Sequence, residues 1–507
     1  MSDVHHEESG RMGRRRFLRA AAGTAALPAA VARTAESKRL VGITVLPEYI
    51  QSEGIDGVLG NLARAGANAV TTSPYVMAEA DERTGTREPP ADAGAGSVRL
   101  LDRPLWGRRE VWVTTAPSFE PRRELYAGLR YQPPQPTELT RREGPVVERF
   151  VSAAKRAGLR VYFQVQAAIP PGYRVQFGGP AEEDQPRLPD GSLPPRRLDK
   201  NGTLASPEIA AYEHALVRDL LTRYPEIDGI RFDWPEFPPY FLDSCFLDFG
   251  PHARAAAERS GFDFERMRRD VEALYRQLHG GLRNEDLEAW AEGDGGRFGL
   301  LRAWSDRPGI GEFLRFKAVL AEEFVAGLRR VMTEVAGPGK ELLANAFPPP
   351  WSLASGLDFS RVGKHAAAMC CKLYSMHWAM MLRFYGEALR EANPGLDERL
   401  LVRALVRILD IADDEGLPRL ADYAYPEPDT PHPAGTEAMK RKIRQAQREA
   451  GDTPVQVLAH GYGPVDDFRR RLVAARDAGP HGFWVNRYAY LTGEKLSVIG
   501  EVARGGD

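Results

Sequence analysis

The sequence predicts an α/β chain folded as a (β/α)8 TIM barrel, and three observations predict it. From Arg39 onward, short β-branched or aromatic runs alternate with amphipathic helical patterns, the sign of parallel strands joined by helical crossovers. There are eight such runs, the number that closes a barrel. No Gly-x-Gly-x-x-Gly fingerprint follows the first run, which argues against a dinucleotide-binding open sheet.

The expected strands are Leu40–Leu46, Asn68–Ser73, Leu159–Gln166, Asp228–Asp233, Glu341–Ala346, Ala368–Tyr374, Pro454–His460 and Gly482–Tyr488. Helical periodicity follows over Ile55–Ala65, Val146–Ala157, Ile209–Arg223, Gly311–Val335, Leu396–Ala412 and Val465–Ala478. The first two helices end in Gly66 and Gly158, where a left-handed cap is needed. Long segments, 77–140, 168–206 and 237–310, follow strands two, three and four; the third carries helical stretches at Ala253–Arg259 and Phe264–Leu278. Such insertions stand on the C-terminal face of a barrel, where function sits.

A chain of 507 residues, 43% hydrophobic and 27% charged, suits one large barrel with insertions. The net charge of −2 provides no bulk field towards nucleic acid or anionic lipid, and the Arg469–Arg471 run reads as a solvated helix face. Three cysteines (Cys245, Cys370, Cys371) build neither a disulfide framework nor a zinc site. His-x-His and His-Glu-x-x-His spacings are absent, so no metal or other cofactor is expected.

At the N-terminus, Arg14-Arg15-Arg16-Phe17-Leu18-Arg19 precedes the apolar run Ala20–Ala32, too short to be an ordinary membrane span. This resembles a twin-arginine export signal cleaved after about Ala32. Residues 1–35 are therefore expected to engage the twin-arginine translocase, with 36–507 the barrel domain working in the periplasm or outside the cell.

The strongest local signal is Asp228-Gly229-Ile230-Arg231-Phe232-Asp233-Trp234-Pro235-Glu236. Residues two apart share a strand face, so Arg231 and Asp233 point inwards while Ile230 and Phe232 meet the helices. An Arg beside an Asp keeps the carboxylate ionised and oriented, which suits a nucleophile or a stabiliser of an oxocarbenium-like transition state. An ion pair that merely closes the barrel top uses the same residues. Glu236, near Trp234, Phe237 and Tyr240, is either a general acid raised by desolvation or the partner of a loop Arg.

Gly229-Ile230-Arg231-Phe232-Asp233 resembles the fourth-strand motif of alpha-amylase-type barrels, where Gly, an apolar residue, Arg, any residue and Asp supply the nucleophile. The longer phrase resembles barrels known as hypothetical glycosyl hydrolases, a likeness that extends by order of elements over about residues 40–490. The resemblance implies hydrolysis of a glycosidic bond in a carbohydrate, with Asp233 as nucleophile or stabiliser and Arg231 as its orienting partner. The second carboxylates of related barrels are not matched: strand five offers Asn345, strand six Lys372-Leu373-Tyr374-Ser375, and strand seven ends in His460.

The remaining strand ends gather polar and aromatic residues suited to sugar rings and hydroxyls: Glu48, Tyr75, Gln164, Gln166, Trp234, Asn345, Lys372, Tyr374, His377, Trp378, His460, Tyr462, Asn486 and Tyr488. Two other readings stand beside hydrolysis. Lys372, between Cys371 and Leu373, could act as the nucleophile of a Schiff-base lyase or aldolase. The barrel could also bind carbohydrate without catalysis.

Overall fold

A computed structural model describes residues 39–90, 99–171, 178–292 and 305–506; the export signal expected in residues 1–35 lies outside them. The strands are β1 (Leu40–Thr44), β2 (Ala69–Thr72), β3 (Tyr75–Ala80), β4 (Thr86–Glu88), β5 (Val111–Pro117), β6 (Arg160–Gln166), β7 (Gly229–Asp233), β8 (Glu341–Ala346), β9 (Ala368–Leu373), β10 (Val455–His460) and β11 (Gly482–Asn486). Eight of them close a parallel barrel in the order β1-β11-β10-β9-β8-β7-β6-β2, and these are the eight runs the sequence predicts. Helices fill the crossovers, several opening on Pro in the first turn, where its missing N–H costs no bond: Pro47, Pro145, Pro207 and Pro308.

Every second residue of each barrel strand faces inwards. Leu40, Ala69, Tyr162, Leu343, Ala368, Cys370, Leu458 and Trp484 form an interior cluster separate from the main core between strands and helices. Gly42 makes room for the Trp484 indole, because a Cβ there would stand 2.1 Å from its ring. Cys370 and Cys371 are free and fully buried, and burial pushes both thiols up to about 12, as expected of packed, inert thiols.

The insertions carry structure of their own. The segment after β2 contains the antiparallel sheet β3-β5-β4, which its Pro, Gly and Arg content does not announce. The segment after β7 holds helices Pro251–Arg259, Phe264–Leu278 and Asn284–Glu292. A fourth long excursion lies between β9 and β10, where helices Ser375–Ala392, Glu398–Leu409 and Thr436–Ala450 flank the loop that carries Tyr425. Among the described residues no helix is long and apolar enough to cross a membrane.

Candidate functional site

Strand parity builds the site from below. In β7, Ile230 and Phe232 are buried against the helices, while Arg231 and Asp233 turn into the barrel beside Gln164 and Gln166 of β6. Arg231 is fully buried; its Nε donates to Gln164 Oε1 at 3.1 Å, an Nη hydrogen-bonds Thr44 Oγ1, and its Cζ lies 4.6 Å from the Trp484 ring. The hydrogen bonds of Arg231 thus go to Gln164 and Thr44, and Asp233 acts on it through charge. Same-face neighbours on a strand stand about 6.6 Å apart, and Nε and Nη2 of the guanidinium bond to Gln164 and Thr44 while Nη1 has no hydrogen-bond partner.

The cation at Asp233 is Lys372 of β9. Its Nζ lies 3.0 Å from Asp233 Oδ1, an ionic contact outside hydrogen-bond geometry, and 3.2 Å from Glu236 Oε1. The same ammonium stands 4.5 Å from the centre of the Phe347 ring. Glu236 therefore pairs with a strand lysine rather than with a loop Arg. Its second oxygen accepts from Ser355 Oγ at 2.8 Å and Phe347 N at 3.4 Å. Burial holds its carboxyl above the ordinary range, against opposing contributions from Lys372 and Ser355. Lys372 and Glu236 are buried, whereas the Asp233 side chain keeps 14% of its surface exposed.

The turn after β7 is strained. Trp234 has φ 57°, and Ala168, just past Gln166 on the neighbouring strand, has φ 58°. Left-handed backbone at a non-glycine residue costs about 1–3 kcal/mol and persists only where the surroundings enforce it. Here the enforcing segment is 199–202. Asn201 Nδ2 donates to Trp234 O at 2.7 Å and Glu236 O at 3.4 Å, Gly202 N donates to Ala168 O at 2.7 Å, and Asp199 accepts from Asn201 N at 3.1 Å. Asn201 gives no sequence signal beyond its place in a Pro- and Gly-rich insertion.

Above this layer lies the mouth. Gln166 Oε1, both polar atoms of Asn345 and Asn486 Oδ1 are buried without a hydrogen-bond partner. Asn486 Nδ2 donates to Tyr374 Oη at 2.8 Å, and burial, followed by the nearby Asp233 charge, raises the Tyr374 phenol above its ordinary value. The Tyr374 ring meets His460 at 5.0 Å and His377 at 5.5 Å. His460 Nδ1 accepts from Tyr462 N at 3.1 Å, which directs its neutral-form proton to Nε2.

Of the residues expected at the rim, Gln166, Trp234, Asn345, Lys372, Tyr374, His377, His460 and Asn486 come together around Asp233, with Gln164 one layer below. Glu48 lies on the first turn of helix Pro47–Arg64 rather than at a strand end, and accepts from Tyr75 Oη at 3.1 Å. Tyr462 stands behind, its ring 5.4 Å from Tyr490 and its hydroxyl on Pro426 O.

Two expected residues turn away. Trp378 follows His377 on helix Ser375–Ala392, about 100° round, and packs against Trp351 and Lys442. Tyr488 lies in a 3₁₀ turn after β11, where strand parity no longer holds. Its hydroxyl donates to Glu53 at 2.7 Å and accepts from Asn61 at 2.5 Å, both on a crossover helix. Tyr240 and Tyr490 join the mouth residues, at His377 and His460, and the structure adds Tyr425 and Glu88, the ion-pair partner of Arg487. Their signal, an aromatic or charged residue inside an insertion, does not reveal which strand end it meets. Among the described residues no group of three His, Cys, Asp or Glu side chains could hold a metal ion.

No protein-family model matches the chain, and no curated protein matches it. Solved structures resemble it in outline. A beta-galactosidase from the psychrophilic Marinomonas ef1 is 13% identical with a TM-score of 0.49, covering 92% of this chain, which spans only 59% of the galactosidase. The catalytic domain of a beta-amylase from Paenibacillus polymyxa is 11% identical with a TM-score of 0.47, covering 92% of this chain and 96% of that domain. A class V chitinase from Pseudomonas fluorescens Pf-5 is 10% identical with a TM-score of 0.38, covering 91% and 98%. The fold assignment rests on the strand order of the chain itself.

Proposed function

We propose that the chain is a glycoside hydrolase-like enzyme that cleaves a glycosidic bond in an oligo- or polysaccharide at the barrel mouth. The observation that carries this reading is the surroundings of Asp233. A partly exposed carboxylate, held by Lys372, shares the mouth with the unpartnered buried polar atoms of Gln166, Asn345 and Asn486. Buried polar groups without partners are costly in a free protein and become favourable once a ligand hydroxyl meets them.

In this reading Asp233 attacks the anomeric carbon or stabilises its developing positive charge. Amides bond the sugar hydroxyls, and the Trp234, Tyr374 and Tyr240 rings offer faces to its C–H surfaces. Glu236, accepting from Lys372, Ser355 and Phe347, holds the Lys372 ammonium against Asp233; that ammonium is the acid for the leaving oxygen, and Glu236 is the base that returns a proton to it from the attacking water.

The same contacts count against the lyase reading, since an ammonium held between two carboxylates has no lone pair to offer a carbonyl. Borohydride reduction in the presence of substrate is expected to leave Lys372 unlabelled. A purely binding barrel would retain its ligand in Asp233→Asn and have no turnover to lose.

The test is a panel of nitrophenyl glycosides and polysaccharides offered to wild type and Asp233→Ala. Hydrolysis by the wild type that disappears in the variant supports the proposal, and undiminished hydrolysis in the variant removes Asp233 from the mechanism. We also propose export through the twin-arginine translocase, on the strength of Arg14–Arg16 and the Ala-rich run that follows. In a host lacking that translocase the full chain should stay in the cytoplasm, and continued export there would refute the route.

A further inference from the structure

By strand parity Trp234 should follow Ile230 and Phe232 out towards the helices, since residues two apart share a face. It does not. At Trp234 the backbone takes φ 57°, and the indole comes to the inward side, its ring centre 5.8 Å from Lys372 Nζ and 5.8 Å from the Tyr240 ring. Two residues on, Glu236 reaches the same ammonium at 3.2 Å. One left-handed residue thus brings two side chains to the lysine that contacts Asp233.

The turn's own sequence opposes that conformation twice. A side chain with a Cβ is strained at positive φ, and a residue followed by proline, as Trp234 is by Pro235, is pushed towards extended backbone. The bonds that hold the turn come instead from the insertion after β6. Asn201 is fully buried, and its Nδ2 donates to Trp234 O at 2.7 Å and to Glu236 O at 3.4 Å, the carbonyls on either side of Pro235. Asn201 is itself fixed: its N donates to Asp199 Oδ1 at 3.1 Å, its O accepts from Arg197 Nη2 at 2.7 Å, and Arg197 pairs with Asp199. Gly202 N, donating to Ala168 O at 2.7 Å, anchors the same segment to the end of β6. A carboxamide suits the task because its two protons meet two acceptors; a carboxylate of the same size would set oxygen against both carbonyls.

Resting on the hydrolase reading above, we infer that Asn201 is a positioning residue of the reaction. By stapling the two carbonyls it holds the left-handed Trp234, and through that residue it keeps the indole and the Glu236 carboxyl on Lys372. It touches none of the reacting groups itself. Without the staple, Trp234 relaxes towards the extended backbone that Pro235 favours, and Glu236 is drawn off the ammonium that serves Asp233.

The experiment uses the full chain and the nitrophenyl glycoside that the wild type hydrolyses, with kcat/KM measured below the melting temperature of every variant. Asn201→Ala and Asn201→Asp are each expected to lower kcat/KM by about a hundredfold, the second at nearly unchanged side-chain volume. The deciding step repeats Asn201→Ala in Trp234→Gly. Glycine takes positive φ without strain, so the staple has less to hold there. Trp234→Gly is itself slower for want of the indole, but adding Asn201→Ala should cost no more than about a further fivefold. A general weakening of the fold would cost the same factor in both backgrounds. Equal losses in the two backgrounds, or Asn201→Ala within about threefold of wild type, would overturn the assignment and leave the hydrolase reading intact. If Asn201→Ala does not fold, its recovery as a folded protein in Trp234→Gly supports the assignment, and failure in both backgrounds overturns it. Failure of the wild type to hydrolyse any glycoside would overturn the hydrolase reading itself, and the assignment with it.

Discussion

At the floor of the barrel, Glu341 Oε2 accepts from Tyr162 Oη at 2.7 Å and from Arg160, and Gln456 Oε1 accepts from Trp484 Nε1 at 2.7 Å. At the mouth, on the same strands and the same inward face, Gln166 Oε1, Asn345 and Asn486 Oδ1 have no such partners. The Glu341 side chain keeps 34% of its surface exposed whereas Asn345 is fully buried, so the unpartnered amides lie where solvent is less available. The floor pairs these polar groups internally and gains stability; the mouth leaves its amides without protein partners, open to a ligand. Stability and function are thus separated along one barrel axis, as expected of a fold that works at the C-terminal ends of its strands.

The contrast can be broken at several points. Asp233→Asn carries the largest expected effect: kcat/KM falls at least about 10³-fold while the unfolding temperature holds, read by steady-state kinetics beside thermal melts. Lys372→Met leaves Glu236 buried and uncompensated, so denaturant unfolding should show a loss of about 3–5 kcal/mol. Most of that loss should return in Lys372→Met combined with Glu236→Gln.

Smaller effects separate the two ends more sharply. Asn345→Leu at the mouth should leave stability unchanged or raised, while KM for the cleaved glycoside rises by about 1–3 kcal/mol in equivalent binding. Gln456→Met at the floor should do the reverse, costing about 1–2 kcal/mol of stability through the stranded Trp484 N–H, with unaltered kinetics.

Glu213, on helix Pro207–Arg223 outside the mouth, supplies the control. Burial pushes its carboxyl up to about 8, against a smaller opposing contribution from the Ala168 amide. The folded chain then holds one proton more than the unfolded chain from about pH 4.3 to about 8, so its contribution to stability falls as pH rises, by at most about 1.4 kcal/mol per unit. Glu213→Gln should flatten that slope in melts across the window; an unchanged slope would assign it to other groups.

The barrel was legible because each strand is a short apolar or β-branched run between turn residues, and because Ile230 and Phe232 alternate with Arg231 and Asp233. Inward-facing parity also placed Gln166, Asn345 and Asn486 at the mouth. Partnerships were not legible. Lys372 and Asp233 are far apart in the chain, and nothing local to either predicts that β9 brings an ammonium to β7. Inward-facing parity ends where the strand stops: Trp378 follows helical periodicity, and Tyr488 lies in a 3₁₀ turn. The Asn201 clamp and Tyr425 belong to insertions, whose positions are set by long-range bonds rather than by local pattern.

The most direct test is a crystal structure of Asp233→Asn soaked with the glycoside that the wild type hydrolyses. A sugar ring is expected in the mouth, with hydroxyls within hydrogen-bond distance of Gln166, Asn345 and Asn486 and its anomeric carbon facing residue 233. A sugar bound elsewhere on the chain, with those three amides still unpartnered or met only by water, would contradict that expectation.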